Sequence, residues 1–220
     1  MGTVADDRGA RTARILLDIK PVNFKPDDPF TLTPGRLSPT YIDCRKIISY
    51  PAARRDVTAM AAALVREKIG VTNLDVIAGG ETAGIPFAAW IADALDLPMV
   101  YVRKKPKGFG RMAQIEGDLA EGARVLLVED LATDGGSKIH FVKALRAAGA
   151  AVTHTFVVFH YGVFPESIGG LREIGVDLLA LATWRDVIAE ARRGGDFPET
   201  DLAKVEEFLA DPVGWQDARQ

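Results

Sequence analysis

Three stretches of the chain set charged side chains beside glycine-rich turns, an arrangement suited to holding phosphate groups. The richest is Val125–Ser137, VLLVEDLATDGGS. An apolar run ends in the adjacent carboxylates Glu129 and Asp130. Thr133, Asp134, Gly135, Gly136 and Ser137 then lead into a helical pattern. Glycines allow the positive φ and close approach that line up successive backbone N–H groups, and the helix behind them adds its positive end. This makes a phosphate cradle, without the Lys-Ser/Thr ending of a Walker loop or the spacing of a dinucleotide fingerprint. The paired carboxylates suit acceptance of hydrogen bonds from sugar hydroxyls, or help in holding Mg²⁺. A plain strand–turn–helix with exposed acids would give the same spacing. Asp134 fits a cradle only if its carboxylate turns away to cap the helix.

The second stretch, Met99–Gly117, reads MVYVRKKPKGFGRMAQIEG. It gathers Arg103, Lys104, Lys105, Lys107 and Arg111, five cations within nine residues, around Gly108 and Gly110. That density is read as a solvated hairpin, a nucleic-acid patch, or a mobile lid for a polyanion. The third, Ile77–Pro86, is IAGGETAGIP. Two glycines after a strand turn N–H groups toward an anion, or serve only a tight strand–helix turn.

The elements that must position these stretches alternate. Strands are expected at Asp75–Ala78, Met99–Val102, Val125–Val128, Val152–Phe159 and Asp177–Leu181. Helices are expected at Ala5–Ile19, Pro51–Ile69, Ala83–Leu95, Ser137–Ala148, Trp184–Arg193 and Asp201–Leu209, with Pro51 in a first turn. Strands apolar throughout and separated by helices imply a doubly wound α/β fold, a mainly parallel sheet covered on both faces. Ligands in such folds bind beyond the carboxyl ends of the strands, where all three stretches fall. Residues 1–50, rich in Pro and Asp with β-prone pieces at Phe30–Leu32 and Thr40–Asp43, form an N-terminal helix and cap. Residues 51–195 form the core, with a lid at 103–115, and residues 196–220 a C-terminal helical extension.

The bulk numbers exclude little but point one way. The 220 residues, 48% hydrophobic and 26% charged, suit one soluble core with a small appendage. A net charge of −3 gives no reason to expect nucleic acid or an anionic membrane as partner. No signal peptide, myristoylation motif or membrane span is legible, so a cytoplasmic location is expected. Cys44 is the only cysteine and is read as a small buried hydrophobe. His140, His154 and His160 are read as structural, His160 least securely, and Trp90, Trp184 and Trp215 as core or interface residues.

The hydrophobic run, paired acids and Thr/Gly-rich turn resemble the signature of type I phosphoribosyltransferases, which use 5-phosphoribosyl 1-pyrophosphate (PRPP). The basic run followed by I-E-G resembles that of the orotate phosphoribosyltransferases. FTLTPGRLSPTYIDCRK, DVIAGGETAGIPFAAWIADALDLPMVYVRKK and TWRDVIAEA are similar to other segments of that family, in the same order over nearly the whole chain. The resemblance implies Mg²⁺-dependent transfer of the 5-phosphoribosyl group from PRPP to orotate, giving orotidine 5′-monophosphate and pyrophosphate in de novo pyrimidine (UMP) synthesis. Mg²⁺ would be held mainly through the pyrophosphate and ribose of PRPP. The resemblance assigns Lys107 and Asp130 catalytic roles and implies a homodimer with the lid shared across subunits. It places Glu129 and Asp130 on the ribose, and Thr133, Asp134, Gly135, Gly136 and Ser137 on the 5′-phosphate. Arg103, Lys104, Lys107, Thr82 and Ala83 fall on the pyrophosphate side of PRPP, and Tyr41, Ile42 and Thr133 on orotate.

The chain departs from the family pattern at four positions. Thr33 and Ala83 stand where lysines occur in members, Phe109 where the lid often has a histidine, and Tyr161 where an arginine can meet the orotate carboxylate. Arg45, Arg36 or backbone N–H groups are the expected substitutes for that arginine. Two other readings stay open at this stage: a phosphoribosyltransferase for another nucleobase, and a PRPP-sensing regulator that binds nucleic acid.

Overall fold

The computed structural model describes residues 7–32, 36–108, 114–133, 135–163 and 165–219. Thr33, Phe109 and Asp134, and the side chain of Arg36, lie outside the described residues.

The chain opens with α1 (Arg8–Asp18) and four short strands: β1 (Val22–Phe24), β2 (Phe30–Leu32), β3 (Arg36–Ser38) and β4 (Thr40–Ile42). These pair as two antiparallel ribbons, β1 with β4 and β2 with β3. A 3-10 turn over Cys44–Ser49 leads to α2 (Pro51–Lys68), with Pro51 at the first helical position, where its missing N–H costs nothing.

The core then alternates: β5 (Val76–Gly80), α3 (Gly84–Leu95), β6 (Met99–Val102), β7 (Ile115–Glu116), β8 (Arg124–Ala132), α4 (Gly136–Ala147), β9 (Ala151–His160), α5 (Pro165–Glu173), β10 (Asp177–Thr183) and α6 (Trp184–Gly194). The six strands lie in the order β10-β9-β8-β5-β6-β7, parallel except for β7, which runs antiparallel to β6. This is the doubly wound sheet expected from the sequence. Period-2 alternation sorts its side chains between two cores. Leu126 and Val128 of β8 join the face covered by α1, α2, α3 and α6, whereas Val125 and Leu127 join the face covered by α4 and α5. Leu126 and Leu127 are fully buried, each worth about 1.5–3 kcal/mol of transfer free energy.

α6 begins at a capping box, in which the Asp186 carboxylate accepts from the Thr183 backbone N–H at 2.7 Å and its hydroxyl at 2.8 Å. The C-terminal α7 (Glu199–Ala210) and α8 (Pro212–Asp217) pack on α6 and β3 respectively. No helix among the described residues is long and apolar enough to cross a membrane.

The strand expected to end at Val128 continues to Ala132, which corrects the placing of its two acids at an open strand end. Past Val128, the last β8 residue paired with β5, the strand keeps its ladder with the longer β9, through Glu129↔Val157 and Ala132↔His160. Glu129 and Asp130 therefore stand on a strand that has lost one neighbour and kept the other. The chain connects β5 through α3 to β6 on one side, while β8 lies on the other. The switch in strand order thus falls between β5 and β8, where open α/β sheets place a ligand crevice.

Candidate active site

A cavity of about 750 Å³ opens at this switch point. The strand-to-helix turn after β5 supplies Glu81, Thr82 and Ala83, and α3 adds Pro86. The end of β8 and start of α4 supply Glu129, Asp130, Leu131, Thr133, Ser137, Lys138 and Phe141. The N-terminal cap contributes Tyr41, Ile42, Asp43, Arg45 and Ile48, and the loop after β6 contributes Lys104. Gly135, φ 80°, turns the chain from β8 into α4 in a conformation that favours glycine.

The two carboxylates differ in exposure. Glu129 is 7% exposed and Asp130 half-buried. Burial pushes the Glu129 carboxyl up to about 8, with Lys138 pulling it back and Asp130 adding to the rise. Burial also raises Asp130, opposed chiefly by Lys138. Glu129 Oε1 is buried with no hydrogen-bond partner among the described residues, an open acceptor at the cavity wall. Lys138 is 4% exposed. Its Nζ donates to the Leu131 carbonyl and, at 3.2 Å, to Ser137 Oγ, and stands 3.7 Å from Glu129 Oε2.

Two glycines make the room that Glu129 fills. A Cβ at Gly80 would strike the Glu129 carboxylate, and one at Gly84 would strike the backbone carbonyl of Val128, which cannot rotate aside. Gly84→Ala should therefore cost about 1–3 kcal/mol through overpacking. The expected readout is a lower urea midpoint at unchanged m-value. Gly169→Ala in α5, where an added Cβ meets nothing within 4 Å, should leave the midpoint equal or higher.

The basic stretch is anchored at its foot. Arg103 N–H donates to Gln114 O at 2.8 Å, and Gln114 Nε2 donates back to Arg103 O at 3.0 Å, closing the arms beside the β6–β7 pair. The Lys104 N–H donates to Glu81 Oε2 at 2.6 Å, coupling this foot to the turn after β5. His140 Nε2, on α4, lies 3.2 Å from Lys104 O and 3.3 Å from Gln114 Nε2. Farther out, Glu116 Oε1 receives both Arg103 Nη1 at 3.3 Å and Lys107 Nζ at 3.1 Å. These cations hold the Glu116 carboxyl below its ordinary range, Lys107 most strongly.

A buried acceptor pair, a glycine-turned helix start, a second turn after a neighbouring strand and a basic arm thus meet around one cavity. The phosphoribosyl transferase domain model matches residues 46–163, which carry all of these; Tyr41, Ile42, Asp43 and Arg45 of the cavity wall precede the match. The orotate phosphoribosyltransferase of Cereibacter sphaeroides is 59% identical over 209 residues, covering 95% of this chain and 90% of that protein. The chain belongs to the orotate phosphoribosyltransferase family. Among solved structures, an orotate phosphoribosyltransferase from Aeropyrum pernix matches with TM-score 0.68 and 30% identity, over 84% of this chain and 99% of that one. Leishmania donovani UMP synthase matches with TM-score 0.78 and 29% identity, over 93% of this chain and 43% of that one.

Of the residues that family membership singles out, Tyr41, Ile42, Thr82, Ala83, Lys104, Glu129, Asp130, Thr133 and Ser137 all line the cavity. Gly135 and Gly136 form the turn behind it, whereas Arg103 and Lys107 are drawn together on Glu116. Ile115 belongs to the returning strand β7 rather than to the lid. Tyr161 does not face the cavity. It is 2% exposed, its ring meets Trp184 edge-on at 5.3 Å, and its hydroxyl donates to Thr40 O at 3.3 Å. It therefore stands behind the cavity wall rather than on it.

Glu81 and Lys138 were not legible as site residues in the orotate phosphoribosyltransferase pattern. A lysine immediately after the Gly-Gly-Ser turn is the one signal that could have pointed to Lys138, because a first-turn side chain leans back over the preceding loop. Cys44 is fully buried, which pushes its thiol well up and leaves it inert. His160, at the buried end of β9, is held below the ordinary histidine range by burial.

Proposed function

We propose that this chain transfers the 5-phosphoribosyl group of PRPP to orotate, releasing pyrophosphate and forming orotidine 5′-monophosphate for pyrimidine synthesis. The observation that carries the reading is the single cavity in which the Glu129–Asp130 pair, the Thr133–Ser137 turn, the Thr82–Ala83 turn and Lys104 face one another, in a chain so close to orotate phosphoribosyltransferases.

In this reading Glu129 and Asp130 accept hydrogen bonds from the ribose hydroxyls. The backbone N–H groups from Thr133 to Ser137, at the start of α4, hold the 5′-phosphate. Thr82 and Ala83, with Lys104, Arg103 and Lys107, take the pyrophosphate. Tyr41, Ile42 and Thr133 line the orotate side. Bond breaking at the anomeric carbon leaves positive charge on the sugar and negative charge on the departing pyrophosphate. The nearby carboxylates stabilise the first, and the lid cations the second.

Mg²⁺ fits this site as an ion held mainly through substrate oxygens. Glu129 and Asp130 offer acceptors, but no three His, Cys, Asp or Glu side chains gather into a metal cage among the described residues. When bound, the ion neutralises charge on the pyrophosphate. A homodimer with the lid closing over the partner's site and a cytoplasmic location complete the proposal, both supported by family membership.

The test is a spectrophotometric assay with PRPP, Mg²⁺ and a panel of bases. Orotate should be consumed well ahead of uracil, hypoxanthine and adenine. Preference for another base would reassign the specificity. Turnover of none would favour the PRPP-sensing regulator, against which the net charge of −3 argues.

A further inference from the structure

Lys138 is the one buried cation in the cavity to which the proposed chemistry assigns no task. It sits in the first turn of α4, yet its side chain folds back beneath the turn that precedes the helix. Its Nζ donates to the carbonyl of Leu131, on the strand side of that turn, and to Ser137 Oγ at 3.2 Å, on the helix side. The same Nζ lies 3.7 Å from Glu129 Oε2. With side-chain exposures of 5% and 9%, neither Lys138 nor Glu129 can be replaced by bulk water in this role.

We propose that Lys138 is a positioning residue for the phosphoribosyl half of the substrate, clasping the two ends of the 131–137 turn and supplying the fixed counter-charge to Glu129. The inference rests on the reading of this turn as the 5′-phosphate site. Two hydrogen bonds and one ion pair from a single ammonium reach three different parts of the site: strand end, helix start and acidic pair. Leu131 and Ser137 are thereby tied to one ammonium before any ligand arrives, which lowers the ordering that binding must supply. The charge acts in two directions. It offsets a carboxylate that would otherwise be isolated in a poorly solvated wall, and it lies beneath a turn that is to receive a dianion. A surface lysine could do neither, because water and salt would screen it.

The pyrophosphate side is built separately, from the turn after β5 and the foot of the lid, where the Lys104 N–H meets Glu81 Oε2 at 2.6 Å. Lys138 touches none of these groups in the structure. Its removal should thus divide the site, which a general loss of folding would not do.

The experiment is calorimetric binding of two probes, ribose 5-phosphate and inorganic pyrophosphate with Mg²⁺, to wild type and Lys138→Met. Ribose 5-phosphate should bind at least about tenfold more weakly to the variant, and pyrophosphate within about twofold of wild type. In steady state the PRPP KM should rise while the orotate KM stays unchanged. Lys138→Arg, which keeps the charge and adds donors, should recover part of the ribose 5-phosphate affinity. If Lys138→Met does not fold, Lys138→Gln, which keeps a donor and loses the charge, takes the same two measurements with the same expected division. Equal weakening of both probes, or of neither, would overturn the proposal. Failure of wild type itself to bind ribose 5-phosphate would instead remove the assignment of the turn on which it rests.

Discussion

Lys107→Ala should lower kcat by about 10²–10³-fold while leaving the unfolding midpoint where it is. The loss is of the size found when one preorganised donor to a developing negative charge is removed. Lys107 stands on the arm after β6, its Nζ 3.1 Å from Glu116 Oε1 and its side chain 67% exposed. An exposed pair of this kind is worth little to stability, so the variant should melt with the wild type. Arg103 shares the same carboxylate oxygen at 3.3 Å, so two lid cations are drawn to one acid outside the cavity. Pyrophosphate carries more charge than one carboxylate, so in the proposed reaction Lys107 and Arg103 would exchange the weaker partner for the stronger. Because the interaction strengthens as the leaving group gains charge, kcat and kcat/KM should fall together, with the PRPP KM changed less. Stopped-flow and steady-state assays with saturating PRPP check this. A kcat within a factor of three of wild type would remove Lys107 from the leaving-group role.

Much of the fold was legible because most core strands carry an apolar run and are followed by a helix. The strand Met99–Val102 matches its expectation residue for residue, and α2, α3, α4 and α6 lie within two residues of theirs at each end. Where the reading fell short, the cause was long-range pairing. Glu129 and Asp130 look like the end of a strand in sequence, since charge normally marks solvent. They stay in β8 because β9 continues beside them to His160. The pair Ile115–Glu116 is too short to show periodicity and is a strand only because β6 is there to receive it. β1 and β3 are likewise made by their partners β4 and β2.

The site divides along the same line. Residues carried by motifs were legible: Glu129, Asp130, Thr133, Ser137, Thr82 and Lys104 converge on one cavity. Residues whose role depends on where a side chain folds were not. Lys138 reads as an ordinary first-turn lysine until its burial against Leu131 and Glu129 is seen. Tyr161 reads as a pocket residue until its ring is found against Trp184.

With Tyr161 in the place of an arginine, orotate's carboxylate must be met by another group, and this gives the second large effect. Arg45→Ala should lower kcat/KM for orotate by about 30-fold or more, mainly through KM, as expected when one partner of a charge pair is removed from a binding site. Among the described residues, three cations line the cavity: Lys104, Lys138 and Arg45. Lys138 is committed to Leu131, Ser137 and Glu129, and Lys104 stands at the foot of the lid, tied through its backbone to Glu81. Of these three, Arg45 alone rises from the cap beside Tyr41 and Ile42. Asp43 Oδ1 accepts from Arg45 Nε at 2.7 Å and from its backbone N–H at 3.2 Å, while Nη2 reaches the Tyr41 hydroxyl at 3.4 Å. Asp43 thus steadies the guanidinium from its Nε edge, and the Nη side stays available for a planar carboxylate, the geometry in which arginine pairs most strongly. The side chain is 58% exposed, so its loss should not move the melting temperature. Arg45→Lys should restore only part of the effect, because an ammonium lacks the planar fork that matches both oxygens of a carboxylate. Uracil, which has no carboxylate, provides the internal control: whatever slow turnover it shows should be insensitive to Arg45. An orotate KM unchanged in both Arg45→Ala and Arg36→Ala would transfer the carboxylate to backbone N–H groups of the cap, and a rise in Arg36→Ala alone would transfer it to Arg36.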